Sequence, residues 1–223
     1  MALKFIPAPG WAYDAACGVI DSYSAVFADT PQIPVERGEL SPEKIRATLP
    51  VFIAGVPRRQ DDRRSAIAHN KLWFKPKRVA WRFLLETARG VTVGVEVHAN
   101  RKKHAFHQLQ HGPFIQQIFD SVQVAARSSR LKGRDFSLGV LQIPSLYFSA
   151  LWLTTKRGQE LYVPLVAFLG RLKIGSFCSR KKVVSALVDK WIERKEAHNR
   201  VNILKAKSKL SKPGQARTGR LRK

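Results

Sequence analysis

The chain has few acidic residues and very little sulfur. Its 223 residues include 16 Asp and Glu against 40 Lys and Arg, together with two Cys and one Met. Cys17 and Cys178 lie far apart with no further Cys between them, which argues against a disulfide framework and against a Cys-based zinc site. This cysteine usage is typical of a reducing compartment, so we expect a cytoplasmic protein.

Long apolar runs are also scarce. Residues 136–155 carry no charge, but they include Gln142, Pro144 and several Ser and Thr, and a second uncharged run follows a basic turn. A membrane-spanning helix needs about 20 predominantly apolar residues. The spacing favours two buried strands, and a membrane partner is therefore not expected. The first ten residues, with two prolines and a glycine, do not resemble a secretory signal.

The positive charge is distributed unevenly along the chain. The formal net charge is +24, although residues 1–55 contain four Lys and Arg against six Asp and Glu. Residues 198–223 contain nine Lys and Arg and no carboxylate. A surface with such an excess attracts polyanions and releases their counterions on binding, so nucleic acid, RNA or DNA, is the expected partner.

Alternating apolar residues predict strands in the middle of the chain. Val91, Val93, Val95 and Val97 alternate with polar or small residues, and residues 77–86 show a similar period of two. A short strand is predicted over 104–110, and three more over 136–143, 146–155 and 160–168. Lys156-Arg157-Gly158 is predicted to form a hairpin turn between the last two.

Helical spacing and capping residues predict the remaining elements. Apolar spacing predicts a helix over 11–27, Ser41-Pro42 one over 42–49, and the Arg-rich residues 57–70 another. Gly112-Pro113 opens an amphipathic helix, and Ser179 caps one that continues toward Leu204.

These elements predict an α+β fold with an antiparallel sheet of about five or six strands packed against helices. The expected organisation is a mostly helical N-terminal segment (1–56) packed on the body, an α+β core domain (57–204) and a disordered basic C-terminal tail (205–223).

The candidate nucleic-acid-binding residues are cations in loops, at helix starts and in the tail. Some of them flank Trp73 and Phe74, a mixture used for stacking on unpaired bases, although ordinary packing explains the same pair. The predicted set is Arg58, Arg59, Arg63, Arg64, Lys75, Lys77, Arg78, Arg101, Lys102, Lys103, Arg180, Lys181, Lys182, Lys205, Lys207, Lys209, Lys212, Arg217, Arg220, Arg222 and Lys223.

Catalytic and metal-binding signals are weak. Glu96 and His98 share a strand face and could pair as acid and base, but the same alternation predicts an exposed strand face. Four histidines, His98, His104, His107 and His111, fall within fourteen residues, yet a strand places His104 and His107 on opposite faces. No metal and no cofactor is predicted.

Three functions remain open on the sequence. The first is a non-enzymatic nucleic-acid-binding protein that contacts phosphates through basic loops and the basic tail. The second is a nuclease-like enzyme acting on nucleic acid, with Glu96 and His98 as its candidates. The third is an assembly or adaptor protein whose basic surface meets an acidic protein partner.

Overall fold

The strands in the described part of the protein form one sheet. The computed structural model describes residues 3–28, 40–55, 76–87, 89–90, 92–99, 106–166 and 171–210, with the backbone alone for 24–28, 106–107 and 203–210. These residues contain nine strands: β1 (Leu3–Lys4), β2 (Ile45–Ile53), β3 (Lys77–Glu86), β4 (Thr92–His98), β5 (Phe106–His111), β6 (Phe136–Ile143), β7 (Phe148–Thr155), β8 (Glu160–Pro164) and β9 (Cys178–Ser179). The helices are α1 (Gly10–Ala28), α2 (Pro113–Arg127) and α3 (Arg180–Leu210).

Two antiparallel meanders make up the sheet, and each leads into a helix. The strand order is β5-β4-β3-β2-β6-β7-β8-β9, with β1 also paired to β6. Strands β2 to β5 precede α2, and strands β6 to β9 precede α3. The meanders meet where β2 pairs in parallel with β6, with Val51 opposite Val140 and Ile53 opposite Gln142.

Helices cover both faces of this sheet. On one face, α1 packs on β3 and β4 through a cluster that contains Ile20, Phe83 and Val95, while α3 packs on β6 to β8 through Leu187 and Tyr162. On the other face, α2 packs against both meanders, and its cluster includes side chains of β2, β3, β6, β7 and β8. The apolar stripe of each helix is therefore buried on the sheet.

The predicted α+β class with a mostly antiparallel sheet is confirmed, but the sheet has more strands than the five or six expected. The predicted strands in the middle of the chain correspond to β3 to β8, and the helix predicted after Gly112-Pro113 corresponds to α2. Gly158 has a φ of 78°, as a glycine in the predicted hairpin turn allows.

The helix predicted over 42–49 is wrong. Ser41 is extended, Pro42–Lys44 form a single 3₁₀ turn, and the chain then enters β2. Ala47, Leu49 and Val51 alternate along β2 and are buried against α2's cluster, so burial in the sheet outweighs the local capping signal. Residues 45–53 of the predicted N-terminal segment are thus part of the sheet.

The last helix is longer than the sequence suggests. α3 runs to Leu210, so residues 205–210 of the predicted tail are helical. Residues 211–223 lie outside the described part of the chain, as does the helix predicted over 57–70.

At the junction of the meanders, Gly139 of β6 lies directly under an aromatic ring. A Cβ at this position would come within 2.9 Å of the Phe52 ring and 3.0 Å of the Pro50 carbonyl oxygen. Phe52 in turn packs edge-on against Trp152, with ring centroids 5.1 Å apart. A side chain at position 139 would push β2 away from β6.

We expect Gly139→Ala to lower the free energy of unfolding by about 1–3 kcal/mol because the added methyl overpacks this junction. The matched control is Gly18→Ala in α1, where a Cβ meets no heavy atom within 4 Å. That change should raise stability by up to about 1 kcal/mol through helix propensity. Denaturant unfolding of both variants measures the difference, and equal effects of the two would contradict the tight junction.

Candidate nucleic-acid interface

The second meander brings three basic segments together at one end of its strands. Phe136 at the start of β6 pairs with Thr155 at the end of β7. Thr154 pairs with Glu160 at the start of β8. The next residue of β8, Leu161, pairs with Ser179 at the end of β9. Residues 128–135, residues 156–159 and the first turn of α3 therefore lie side by side.

Among the described residues, seven exposed cations line depressions here, and we call this group the basic edge. They are Arg127, Lys132, Arg134, Lys156, Arg157, Lys181 and Lys182. Arg134 donates a hydrogen bond of 3.3 Å to the Gln159 side chain, which joins the loop before β6 to the turn after β7. The other cations extend from turns or helix ends, so their charges face solvent.

Shallow depressions adjoin one another along the basic edge. The largest, about 540 Å³, lies between the loop before β6 and the β7–β8 turn. A second one of about 420 Å³ shares Arg134 and Gln159 with it, and a third of about 370 Å³ shares Ser179 and Lys181 with the second. Cations line all three depressions. The shape is that of a continuous cationic track.

Carboxylates near the track already have cationic partners. Asp135 is ion-paired with Lys4, which holds the pKa of Asp135 below its ordinary value. Asp189 accepts a 2.7 Å bond from Arg171. Asp135 also interacts with Lys156, but the cations of the basic edge outnumber the nearby carboxylates, so the edge retains a local positive excess.

Arg180 anchors the start of α3 to the sheet. Its Nε atom lies 3.5 Å from a Glu160 carboxylate oxygen, and the same oxygen accepts a hydrogen bond from the hydroxyl of Tyr162. Burial, together with Glu160, raises the pKa of Tyr162, which remains a hydrogen-bond donor. The Ser179 side chain accepts a 3.4 Å bond from the Lys182 amide, as predicted for a cap.

The first turn of α3 contains Lys181 and Lys182 and no acidic residue. Cations at a helix N-terminus oppose the helix dipole, and an anion bound there offsets this cost.

The structure brings together some of the cations predicted from the sequence and separates others. Lys181 and Lys182 lie on the basic edge, whereas Arg180 is half-buried in its contact with Glu160. Lys77 and Arg78 are exposed at the start of β3, at the opposite end of the strands. The backbone of Lys205, Lys207 and Lys209 lies in α3. Arg58, Arg59, Arg63, Arg64, Lys75, Arg101, Lys102, Lys103, Lys212, Arg217, Arg220, Arg222 and Lys223 lie outside the described residues, with Trp73 and Phe74.

Sequence reasoning missed five cations of the basic edge as site residues. Arg127, Lys132 and Arg134 lie in a segment that reads as an ordinary basic loop, and Lys156 and Arg157 in one that reads as a hairpin turn. The predicted meander could have indicated that these segments lie together, because alternate connections of an antiparallel meander lie at the same end of the strands.

Glu96 is a structural residue in this geometry. It is 5% exposed and forms an ion pair with Arg82, which is 1% exposed. The Arg82 guanidinium also lies 5.7 Å from the centre of the Phe114 ring at the start of α2. The predicted exposed strand face is therefore wrong, since α2 covers it. A carboxylate enclosed in this way has no access to a nucleic-acid substrate.

The described histidines do not converge. His111 is opposite Val93, five residues before His98 on β4, so the two histidines are separated by about 16 Å along the strands. His104 and the side chain of His107 lie outside the described residues. In the part of the chain that is described, no three His, Cys, Asp or Glu side chains are grouped so that they could hold a metal ion.

Comparison with protein-family models, with curated proteins and with solved structures finds no match to this chain. In the described ranges, none of the helices combines the length and the apolar character needed to cross a membrane.

We expect Glu96→Gln to lower the free energy of unfolding by about 3–5 kcal/mol because it leaves the Arg82 charge buried without its partner. The double variant Arg82→Met with Glu96→Leu should recover most of that loss. Denaturant unfolding measures both, with Asp135→Asn as a control at an exposed ion pair, where a much smaller effect is expected. A Glu96→Gln protein as stable as the unaltered one would remove the structural role assigned to this pair.

Proposed function

We propose that the protein binds nucleic acid through phosphate contacts at the basic edge. A binding role rather than a catalytic one is favoured because the best-placed carboxylate of the strand face, Glu96, is enclosed with Arg82 beneath α2. The observation that carries the proposal is the gathering of exposed cations at the basic edge, five of which line three adjoining depressions.

The arrangement suits a repeating polyanion better than a single small anion. Between β6 and β9 the track crosses three strand spacings, about 14 Å. Long Lys and Arg side chains on turns can follow phosphates at variable spacing, and each contact releases condensed counterions. The chain's overall charge of +24 adds a long-range attraction of the same sign.

Binding should depend steeply on salt, and the basic edge should supply a measurable share of that dependence. We expect Lys156→Ser with Arg157→Ser to weaken binding and to reduce the slope of log K against log salt by roughly 1.5 to 2 for duplex DNA. The change removes two phosphate contacts from exposed turn positions. Fluorescence anisotropy with short DNA and RNA duplexes and single strands over a salt series measures both quantities.

The matched control is Lys173→Ser with Arg200→Ser, which removes two exposed charges that lie away from the basic edge, one beyond the end of β8 and one far along α3. If both double variants lose the same affinity and slope, net charge rather than the basic edge governs binding. If the unaltered protein binds no polynucleotide even at low salt, the proposed function is wrong. Copurification of a nuclease-resistant acidic protein would then favour the adaptor role.

A further inference from the structure

An exposed tyrosine lies at the end of the sheet opposite the basic edge. Tyr147 follows the 3₁₀ turn Pro144–Leu146, between the end of β6 and the start of β7. Its side chain is 62% exposed, and its φ of 50° places it in the left-handed region. A bulky residue rarely adopts this conformation, and such strained positions often occur at functional sites.

The packing of the residues on either side explains why the Tyr147 ring points into solvent. Leu146, one residue earlier, is 1% exposed and belongs to the cluster beneath α3. The left-handed step after Leu146 turns the chain back into β7, where Phe148 is again buried. Tyr147 is thus held outside the core between two buried residues.

Arg194 of α3 lies over this ring. Its guanidinium carbon is 5.0 Å from the centre of the Tyr147 ring, within the range of a cation–π contact. Glu193, beside Arg194 in sequence, is ion-paired with Lys190 at 2.9 Å. Lys195 lies 4.4 Å from the Trp191 ring centre on the next turn. An aromatic ring and a guanidinium plane are the two groups on which proteins stack unpaired bases.

Other cations lie near this end of the sheet. Lys77 and Arg78 are exposed at the start of β3, whose partners in β2 pair with the end of β6. The three strand spacings from β3 to β7 correspond to about 14 Å. These charges, with Arg194 and Lys195, complement a phosphate backbone that passes the tyrosine.

We propose that Tyr147 and Arg194 form a stacking site for an unpaired base of single-stranded nucleic acid. This inference rests on the proposed function, and it adds a substrate class and a second contact region. About 26 Å of β6 separates the site from the basic edge. A duplex has no base exposed for stacking, so duplex affinity should not depend on this site.

The test uses the full chain and a short single strand that carries 2-aminopurine, whose fluorescence changes on stacking. We expect Tyr147→Asn to weaken single-strand binding roughly 5- to 100-fold and to abolish the fluorescence change, because one base loses its stacking partner. Tyr147→Phe keeps the ring and should retain both. Asn tolerates the left-handed conformation better than Tyr, so thermal unfolding of the Asn variant should show no loss of stability.

A charge-matched pair on α3 separates stacking from simple electrostatics. Arg194→Gln should reduce the fluorescence change, whereas Arg200→Gln removes the same charge from an exposed position further along the helix and should leave it intact. Unchanged single-strand binding and fluorescence in Tyr147→Asn would overturn the stacking site. If that same variant still binds duplex, and the Lys156 and Arg157 changes weaken this duplex binding, the proposed function survives the loss of the stacking site.

Discussion

The parallel pairing of β2 with β6 is the constraint on which the rest of the structure depends. Three residue pairs, from Val51↔Val140 to Ile53↔Gln142, join two meanders that are otherwise antiparallel. The approach is close because Gly139 leaves room for Phe52. With this pairing, α2 can pack across both meanders on one face while α1 and α3 cover the other.

The same architecture decides where charge accumulates. A meander alternates its connections between two edges, so every second loop lies at the same edge. In the second meander the segment before β6, the β7–β8 turn and the start of α3 are all basic, and their charges add along one track. The β6–β7 connection lies at the other edge and carries the exposed Tyr147 instead.

Local sequence patterns predict much of this fold but not β2, the strand that joins the two meanders. The alternation in β3 and β4 and the apolar stripe of α2 are strong local signals, and each corresponds to an observed element. β2 was mistaken for a helix because Ser41-Pro42 is a good capping signal, while the burial that favours a strand comes from residues far along the chain. Local sequence likewise identifies Lys156 and Arg157 only as part of a turn. Their proximity to Lys181 depends on strand pairing, which local sequence does not show.

Arg82 and the basic edge show how burial determines the role of a cation. Arg82 is enclosed, so it requires a carboxylate, and Glu96 from the neighbouring strand supplies it beneath α2. Lys156 and Arg157 are exposed, so water stabilises their charges and a ligand can reach them. The burial of Glu96 therefore argues against the acid–base pair with His98 that its spacing on the strand suggested. The exposed cations, which carry no catalytic pattern, are the groups with access to a polyanion.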